Sequence, residues 1–154
     1  MRALELKVPP PLVALVVGVL MWLVSRFATA FDFGVPARHL FAIVPVACGV
    51  ITAFSGFLAF RRAKTTVNPT TPLASSSLVS GGVYKMTRNP MYLGLLLLLT
   101  GWAIFLSNAL AALLFLPAYV LYINRFQIVP EERALTSLFG KDYVAYQARV
   151  RRWL

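Results

Sequence analysis

The chain has too few cysteines, histidines and acidic residues for several large classes of protein. Its single cysteine, Cys48, and its single histidine, His39, exclude a disulfide framework and a Cys/His zinc site. Acidic residues number five, and all charged residues together make up 13% of the chain. In a soluble domain, about a quarter of the residues are usually charged. The shortage of charge therefore excludes an ordinary soluble domain.

Apolar and basic residues are what the chain has in excess. Of its 154 residues, 59% are apolar, and the net charge is +10. We therefore predict an all-α integral membrane protein that forms one domain over residues 1–154, since a chain of this length usually forms one domain. We assign most of the basic excess to membrane topology and to attraction between cationic side chains and anionic lipid headgroups. Nucleic acid and metal are not expected as partners.

Two apolar stretches in the first half are each long enough to cross a bilayer. Residues 11–30 supply about 20 residues, the length that spans a hydrocarbon core of about 30 Å. Residues 40–60 are equally apolar, tolerate Pro45 as a kink, and end abruptly at Arg61 and Arg62. The sequence predicts one transmembrane helix in each stretch.

A third apolar stretch, residues 91–123, is too long for one untilted span and rather short for two. Ser107 and Asn108 divide it into two halves, so we predict a helical hairpin and about four transmembrane helices in all. The hairpin either crosses the bilayer fully or turns back inside it. In both versions the chain returns to the side from which it started.

Residues 61–90 form the predicted connection between the second helix and the hairpin. Their middle part, residues 65–82, is rich in Pro, Ser, Thr and Gly and has no helical or strand period, which is typical of an irregular loop. A loop of this length serves either as a plain linker or as a binding lid. We predict that it lies in the cytosol.

Basic residues are concentrated in three segments. Residues 61–88 carry five basic residues and no acid, the chain after the hairpin carries six, and Arg2 and Lys7 add a third group at the N-terminus. Basic segments that flank membrane spans stay on the cytosolic side. We therefore predict a multi-pass protein with both termini in the cytosol, in a bacterial inner membrane.

The hairpin begins with the motif RNPMYLG, residues 88–94. Asn89 suits the N-cap position, and Pro90 suits the first helical position, where a backbone N–H is not needed. The helix start therefore presents free N–H groups and a partial positive charge, with Arg88 beside them. Taken by itself, the same pattern also fits an ordinary capped membrane helix.

The hairpin is followed by PEE, residues 130–132, in which the proline and the two acids suit the first turn of a new helix. From Leu135 to Trp153, apolar residues recur at steps of three or four, as they do in a helix that lies on a membrane or protein surface. We predict a cytosolic or interfacial helix over residues 130–152, capped or bent at Gly140.

Together, the two motifs resemble the integral-membrane methyltransferase family that includes isoprenylcysteine carboxyl methyltransferases and phospholipid N-methyltransferases. The former carry L-V-T-S-G-V-Y, then R-H-P-x-Y-x-G, then E-E-x-x-L-x-x-x-F-G-x-x-Y-x-x-Y, and the latter carry a similar N-P-M-Y-x-G and a later acidic pair. The resemblance covers the second half of the chain and not the first two helices. The matching positions are Leu78, Val79, Gly82, Val83, Tyr84, Arg88, Pro90, Tyr92, Gly94, Glu131, Glu132, Leu135, Phe139, Gly140, Tyr143 and Tyr146.

This resemblance implies S-adenosylmethionine as the methyl donor, bound at the cytosolic face between the hairpin and the C-terminal segment. The acidic pair would bind the ammonium or the ribose, and the start of the hairpin would bind the carboxylate or the adenine edge. Arg88 or Arg125 would act in catalysis by orienting the acceptor. The implied cofactor-binding residues are Tyr84, Asn89, Pro90, Tyr92, Gly94, Glu131 and Glu132.

The acceptor is left open by departures from both family patterns. Asn89 and Ser76 stand where the carboxyl methyltransferases have histidine, and Gly49 and Gly56 stand seven residues apart where the phospholipid enzymes have G-x-G. The resemblance therefore implies a lipidic or lipophilic substrate, either a prenylcysteine-like carboxylate or a phospholipid amine, with membrane lipid as the surrounding partner. Two alternatives of other classes are an NADPH-dependent membrane reductase and a small membrane protein without enzymatic activity.

Overall fold

The structure, a computed structural model, describes residues 5–63 and 77–154. Within these ranges regular structure is helical and no strand occurs, which confirms the predicted all-α class. Residues 64–76, which include most of the predicted cytosolic loop and Ser76, lie outside the described ranges. The helices are α1 (Pro10–Phe27), α2 (Arg38–Arg62), α3 (Pro90–Leu106), α4 (Ala109–Ile123) and α5 (Val129–Arg149).

The helices have the lengths and surfaces of a membrane protein. In the described part of the chain, three helical runs are long and apolar enough to cross a membrane: α1, α2 and the run Ala109–Arg149, whose apolar part is α4. Helix α3 is also apolar but has 17 residues. Many large apolar side chains of α1 and α2 are exposed, as expected on a surface that contacts lipid. Beyond Pro130, α5 carries six charged residues and so lies outside the apolar spans.

Helices α2 and α3 pack so closely that only glycine fits between them. A Cβ atom on Gly94 would lie 2.6 Å from Ala53 Cβ and 2.7 Å from the carbonyl oxygen of Gly49. A Cβ atom on Gly101, one heptad later, would lie 2.5 Å from Val46 Cγ2. Small residues at this spacing allow two membrane helices to bring their backbones into contact.

The turn between α3 and α4 is tied to the connection between α1 and α2. Ser107 adopts a left-handed conformation with φ 52°, and Asn108 then caps α4 by accepting a hydrogen bond from the Ala111 N–H at 2.9 Å. The side-chain amide of Asn108 donates to the Ala28 carbonyl at 2.9 Å and to Asp32 Oδ1 at 2.7 Å. The predicted break in the hairpin is confirmed, and we call this end of the bundle the turn end.

Helix α4 leads into α5 through a π-helical turn, residues Asn124–Ile128. Pro130 has no N–H to donate to the carbonyl of Phe126, four residues earlier, and widening the helix avoids the clash with its ring. The Leu6 N–H donates to that freed carbonyl at 3.0 Å instead. Gln127 Nε2 also donates to the Val8 carbonyl, at 2.7 Å, so the N-terminal segment is held against the π turn.

Helix α5 is interrupted once and ends earlier than predicted. Gly140, at φ 50° and ψ −122°, is non-helical, which confirms the predicted bend. The helix ends at Arg149, and Val150 is extended, so the expectation of a helix as far as residue 152 is wrong. The chain leaves the helical path after Arg149 because the carbonyls of Arg151 and Arg152 accept hydrogen bonds from the segment that precedes α3.

Candidate active site

The start of α3 and the start of α5 lie side by side at the end of the bundle opposite the turn end. The Tyr92 hydroxyl donates a hydrogen bond to Glu131 Oε1. Arg88 Nη2 lies 3.2 Å from Glu132 Oε1. These contacts join the RNPMYLG motif to the PEE motif across about 40 residues of hairpin. The two motifs therefore form one site, which we call the site end.

Glu131 has one side-chain partner, the Tyr92 hydroxyl, among the described residues. Burial raises the pKa of the Glu131 carboxyl to about 8; the hydrogen bond from Tyr92 opposes this shift and the nearby Glu132 adds to it. A cation beside this carboxyl would favour its ionised form. Glu131 is therefore an acid that can pair with a positively charged ligand.

Glu132 differs from Glu131 because its two oxygens are already occupied. Arg152 donates through Nη2 to Oε2 at 2.6 Å and through Nε to Oε1 at 3.1 Å. Arg88 reaches Oε1 from the other side, and pairing with Glu132 raises the pKa of Arg152. Sequence reasoning did not include Arg152 in the site. The only signal was the basic run RRW after α5, which we assigned to membrane topology.

Within the described part of the chain, Arg88 has buried guanidinium donors without a hydrogen-bond partner. Its side chain is 12% exposed, and its Nε and Nη1 atoms are buried without a hydrogen-bond partner there. Buried donors are nearly always paired in proteins, since an unpaired one loses its hydration without compensation. An anionic group of a ligand would supply the missing acceptors.

Asn89 occupies the predicted position but uses its side chain differently. Helix α3 begins at Pro90 as expected, yet the Asn89 side chain makes no capping hydrogen bond, so its predicted capping role is wrong. Its Nδ2 donates instead to the carbonyl of Arg152 at 2.9 Å, next to a 3.3 Å hydrogen bond from the buried Thr87 hydroxyl to the same oxygen. The side chain holds the C-terminal segment in place.

Tyr84 is buried in a cluster of aromatic side chains beside the site. Its carbonyl accepts a hydrogen bond from the Tyr146 hydroxyl at 2.7 Å. Its ring meets that of Phe60 edge to face at 5.5 Å, and Tyr143 packs in the same cluster. Tyr84 thereby connects the end of α2 to α5 and helps to fix the position of α5 beside the site.

Two predicted site residues of α3 contact α2. Pro90 packs on Gly56, whose Cβ position would be 3.0 Å from Pro90 Cγ. Gly94 contacts Gly49 and Ala53, as described above. These contacts set the distance between the two helices, and direct contact of either residue with a cofactor stays a prediction.

Arg125 does not share a partner with Arg88. It lies in the π turn and donates to Glu5 Oε1 at 2.7 Å, while Arg133 contacts the other oxygen of the same carboxylate. The side chain of Arg125 is 45% exposed. The two predicted catalytic arginines therefore pair with different acids. Arg88 pairs with Glu132 inside the site, and Arg125 pairs with Glu5 in the N-terminal segment.

One open cavity lies at the site, and another lies along the membrane helices. A polar cleft of about 490 Å³ lies beside Glu132, Arg133 and Arg152 but does not reach Glu131. An apolar groove of about 490 Å³ runs between α1 and α3, with Trp22 and Trp102 among its walls. The second has the lining expected for a lipid chain.

The chain is similar to a described protein family and, over part of its length, to individual known proteins. The family described as "Phospholipid methyltransferase" matches residues 37–142, more than half of the chain. An uncharacterized protein of Haemophilus influenzae is 50% identical over 64 residues, which are 42% of this chain and 100% of that protein. Protein-S-isoprenylcysteine O-methyltransferase B of Arabidopsis thaliana is 37% identical over 76 residues, which are 47% of this chain and 36% of the plant protein. No solved structure matches the chain.

Proposed function

Because the chain belongs to the phospholipid methyltransferase family, we propose that this membrane methyltransferase uses S-adenosylmethionine to methylate a lipophilic acceptor at the cytosolic face. The observation that carries the proposal is the meeting of the two motifs, in which Tyr92 contacts Glu131 and Arg88 contacts Glu132. The two reported matches whose names state an activity, the family and the plant protein, both name methyl transfer, which favours methyl transfer over the NADPH alternative.

The side chains of the site suit the charges of this donor. S-adenosylmethionine would supply an activated methyl group on a sulfonium, together with an ammonium, ribose hydroxyls and a carboxylate. Glu131 would bind the ammonium or a ribose hydroxyl, since its carboxyl has only the Tyr92 hydroxyl as partner among described side chains. The free donors of Arg88 would bind a carboxylate.

The other predicted cofactor-binding residues would act by shaping the pocket. Tyr92 would orient Glu131, and Glu132 would anchor Arg88. Tyr84, Asn89, Pro90 and Gly94 fix the positions of α2, α3 and the C-terminal segment around these groups, which supports their place in the walls of the site.

Methyl transfer requires alignment of acceptor and donor and exclusion of water more than it requires an acid or a base. A prenylcysteine-like carboxylate needs no general base, whereas a phospholipid amine must arrive neutral. We propose that the apolar tail of the acceptor lies in the groove between α1 and α3 and that its polar head reaches Arg88 or Arg125.

The positions of the basic residues support a proposed topology. The described basic residues at the site end include Arg88, Arg125, Arg133 and Arg152, and basic groups of this kind favour the cytosolic side. We propose that both termini lie in the cytosol, that the membrane is a bacterial inner membrane, and that residues 1–154 fold as one domain.

The test is a binding and transfer experiment on the protein purified in detergent. We expect S-adenosylmethionine to bind and NADPH not to bind, and we expect a radiolabelled methyl group to appear in lipid extracted from total membranes. Replacing Glu131 and Glu132 together by alanine should abolish donor binding while the protein stays folded. Unchanged binding by that double variant would refute the assigned pocket, and binding of NADPH in place of the donor would refute the function.

A further inference from the structure

Helix α5 is followed by an irregular segment, Val150–Leu154, which we call the C-terminal clasp. The Arg88 N–H donates to the Arg151 carbonyl at 3.0 Å, and Asn89 Nδ2 donates to the Arg152 carbonyl. On the other side, Trp153 Nε1 donates to Asn124 Oδ1 in the π turn at 3.1 Å. The clasp therefore holds the segment before α3 and the segment before α5 together.

Within the clasp, Arg152 also competes with Arg88 for one carboxylate. Arg152 engages both oxygens of Glu132, at 2.6 Å and 3.1 Å, in the two-point geometry that makes arginine–carboxylate pairs strong. Arg88 has a single, longer contact of 3.2 Å to one oxygen, made by Nη2. Glu132 therefore pairs mainly with Arg152, and its contact with Arg88 is the weaker one.

This division has a consequence for the remaining donors of Arg88. Its Nε and Nη1 atoms are buried and have no partner among the described residues, although a carboxylate lies within reach of the same guanidinium. If Arg152 were absent, Arg88 would be free to take both oxygens of Glu132, because a guanidinium left beside an unshared carboxylate pairs with it at two points. Its donors would then be lost to a ligand.

We propose that Arg152 is a positioning residue that keeps Arg88 available to bind the carboxylate of the amino-acid part of the methyl donor. The proposal rests on the proposed function and deepens it. Glu131 contacts Tyr92 and Arg88 contacts the adjacent Glu132, so the site holds one carboxylate and one guanidinium that complement a ligand with an ammonium and a carboxylate on the same carbon. The proposed acceptors are defined by a carboxylate or by an amine, whereas the donor carries both groups together, so we assign this pair of side chains to the donor.

The first measurement is the affinity of S-adenosylmethionine for the detergent-purified protein and for Arg152→Gln. We expect the variant to bind about tenfold more weakly, the effect of losing one charge-assisted hydrogen bond. Arg149→Gln is the matched control, since it removes the same charge three residues earlier, from an exposed side chain that donates to the Ala145 carbonyl of its own helix. We expect its affinity to be unchanged.

A double variant separates competition from simple support of the fold. In Arg152→Gln with Glu132→Gln, Arg88 can no longer pair with the Glu132 carboxylate, so we expect donor binding to be tighter than in Arg152→Gln alone. If Arg152 only supported the fold, the double variant would bind no better than the single one. That result would overturn the inference.

The remaining outcomes are also decisive. If Arg152→Gln does not fold, Arg152→Lys replaces it, since lysine keeps the charge but contacts a carboxylate at one point; a smaller loss of affinity is expected, and unchanged affinity overturns the inference. If the unaltered protein binds the donor and Arg152→Gln binds it equally well, the inference fails and the proposed function stands. If the unaltered protein does not bind the donor, both fail.

Discussion

The two ends of the helical bundle differ in whether their buried polar groups have hydrogen-bond partners. At the turn end, the buried side chain of Asn108 makes three hydrogen bonds, to Ala111, Ala28 and Asp32. At the site end, Arg88 Nε and Nη1 and Gln127 Oε1 are buried without a partner among the described residues. At the turn end this buried side chain is satisfied within the chain, whereas at the site end some buried polar atoms have no partner among the described residues.

We propose that this difference separates a stabilising region from a ligand-binding one. A satisfied buried side chain fixes a turn and contributes to stability, whereas an unsatisfied donor costs about 1 to 3 kcal/mol until something pairs with it. Departures from full satisfaction are expected where a protein binds its ligand. Substitutions at the site end should therefore change ligand binding, and substitutions at the turn end or between the helices should change stability.

The largest expected effect is at Glu131. Replacing Glu131 by glutamine keeps its shape and a hydrogen-bond acceptor for Tyr92 but removes the negative charge, so we expect donor affinity to fall about 100-fold. The melting temperature in detergent should change little. Isothermal titration and thermal unfolding of the same preparation would measure both. An unaltered affinity would contradict the proposal that the site end binds the donor through Glu131.

Gly94 tests the packing between the two ends. In Gly94→Ala, the new methyl group would lie 2.6 Å from Ala53 Cβ, so α2 and α3 must separate, and we expect a loss of about 2 to 3 kcal/mol in the free energy of unfolding. Gly18→Ala is the matched control, because its nearest neighbour, Leu99 Cδ2, would be at an ordinary 3.7 Å. Denaturant unfolding in detergent measures both. Equal stability of the two variants would contradict the close packing.

Asn108 tests the turn end. Asn108→Ala removes the cap of α4 and leaves the Ala28 carbonyl and the Asp32 carboxylate without this donor, so we expect a loss of about 2 kcal/mol in stability. Asn108→Ser retains a capping oxygen for the Ala111 N–H and should lose about half as much. Donor affinity should stay the same in both variants. A loss of affinity without a loss of stability would contradict a stabilising role for the turn end.

The sequence was sufficient to predict the elements and the meeting of the two motifs. Apolar length and the Ser107–Asn108 break predicted the hairpin, and a hairpin necessarily returns its two flanks to the same end. The identities and order of residues 88–94 and 130–132 then identified the family. Such features are local, or follow directly from connectivity, so a single sequence contains them.

The sequence did not predict which partners the charged side chains choose. Arg152 pairs with Glu132 because the chain leaves the helix after Arg149, and an apolar stripe that continues to Trp153 conceals that departure. Arg125 pairs with Glu5, 120 residues away, because the N-terminal segment packs on the π turn opened by Pro130. Both outcomes depend on backbone paths in irregular segments, for which no period in the sequence exists.

The smallest expected effect is a pH dependence of donor binding, which also distinguishes the two glutamates. Because burial raises the pKa of Glu131 to about 8, its carboxyl is mostly protonated at pH 6 in the ligand-free protein. A cationic donor binds the ionised form, so affinity should rise with pH, by up to tenfold per unit below pH 8. Titrations between pH 6 and 7.5 stay below the ordinary pKa of an α-amino group, about 7.7 to 8.0.

The control for this dependence is Glu131→Gln, whose weaker binding should not vary with pH over the same range. The other groups close to the carboxyl are Tyr92, which donates to it, and Glu132, which is held between Arg88 and Arg152. If the variant kept the pH dependence, the titrating group would have to be another one. An affinity that fell as pH rose would contradict a cation bound at Glu131, because losing a proton from that carboxyl can only strengthen its attraction for a positive charge.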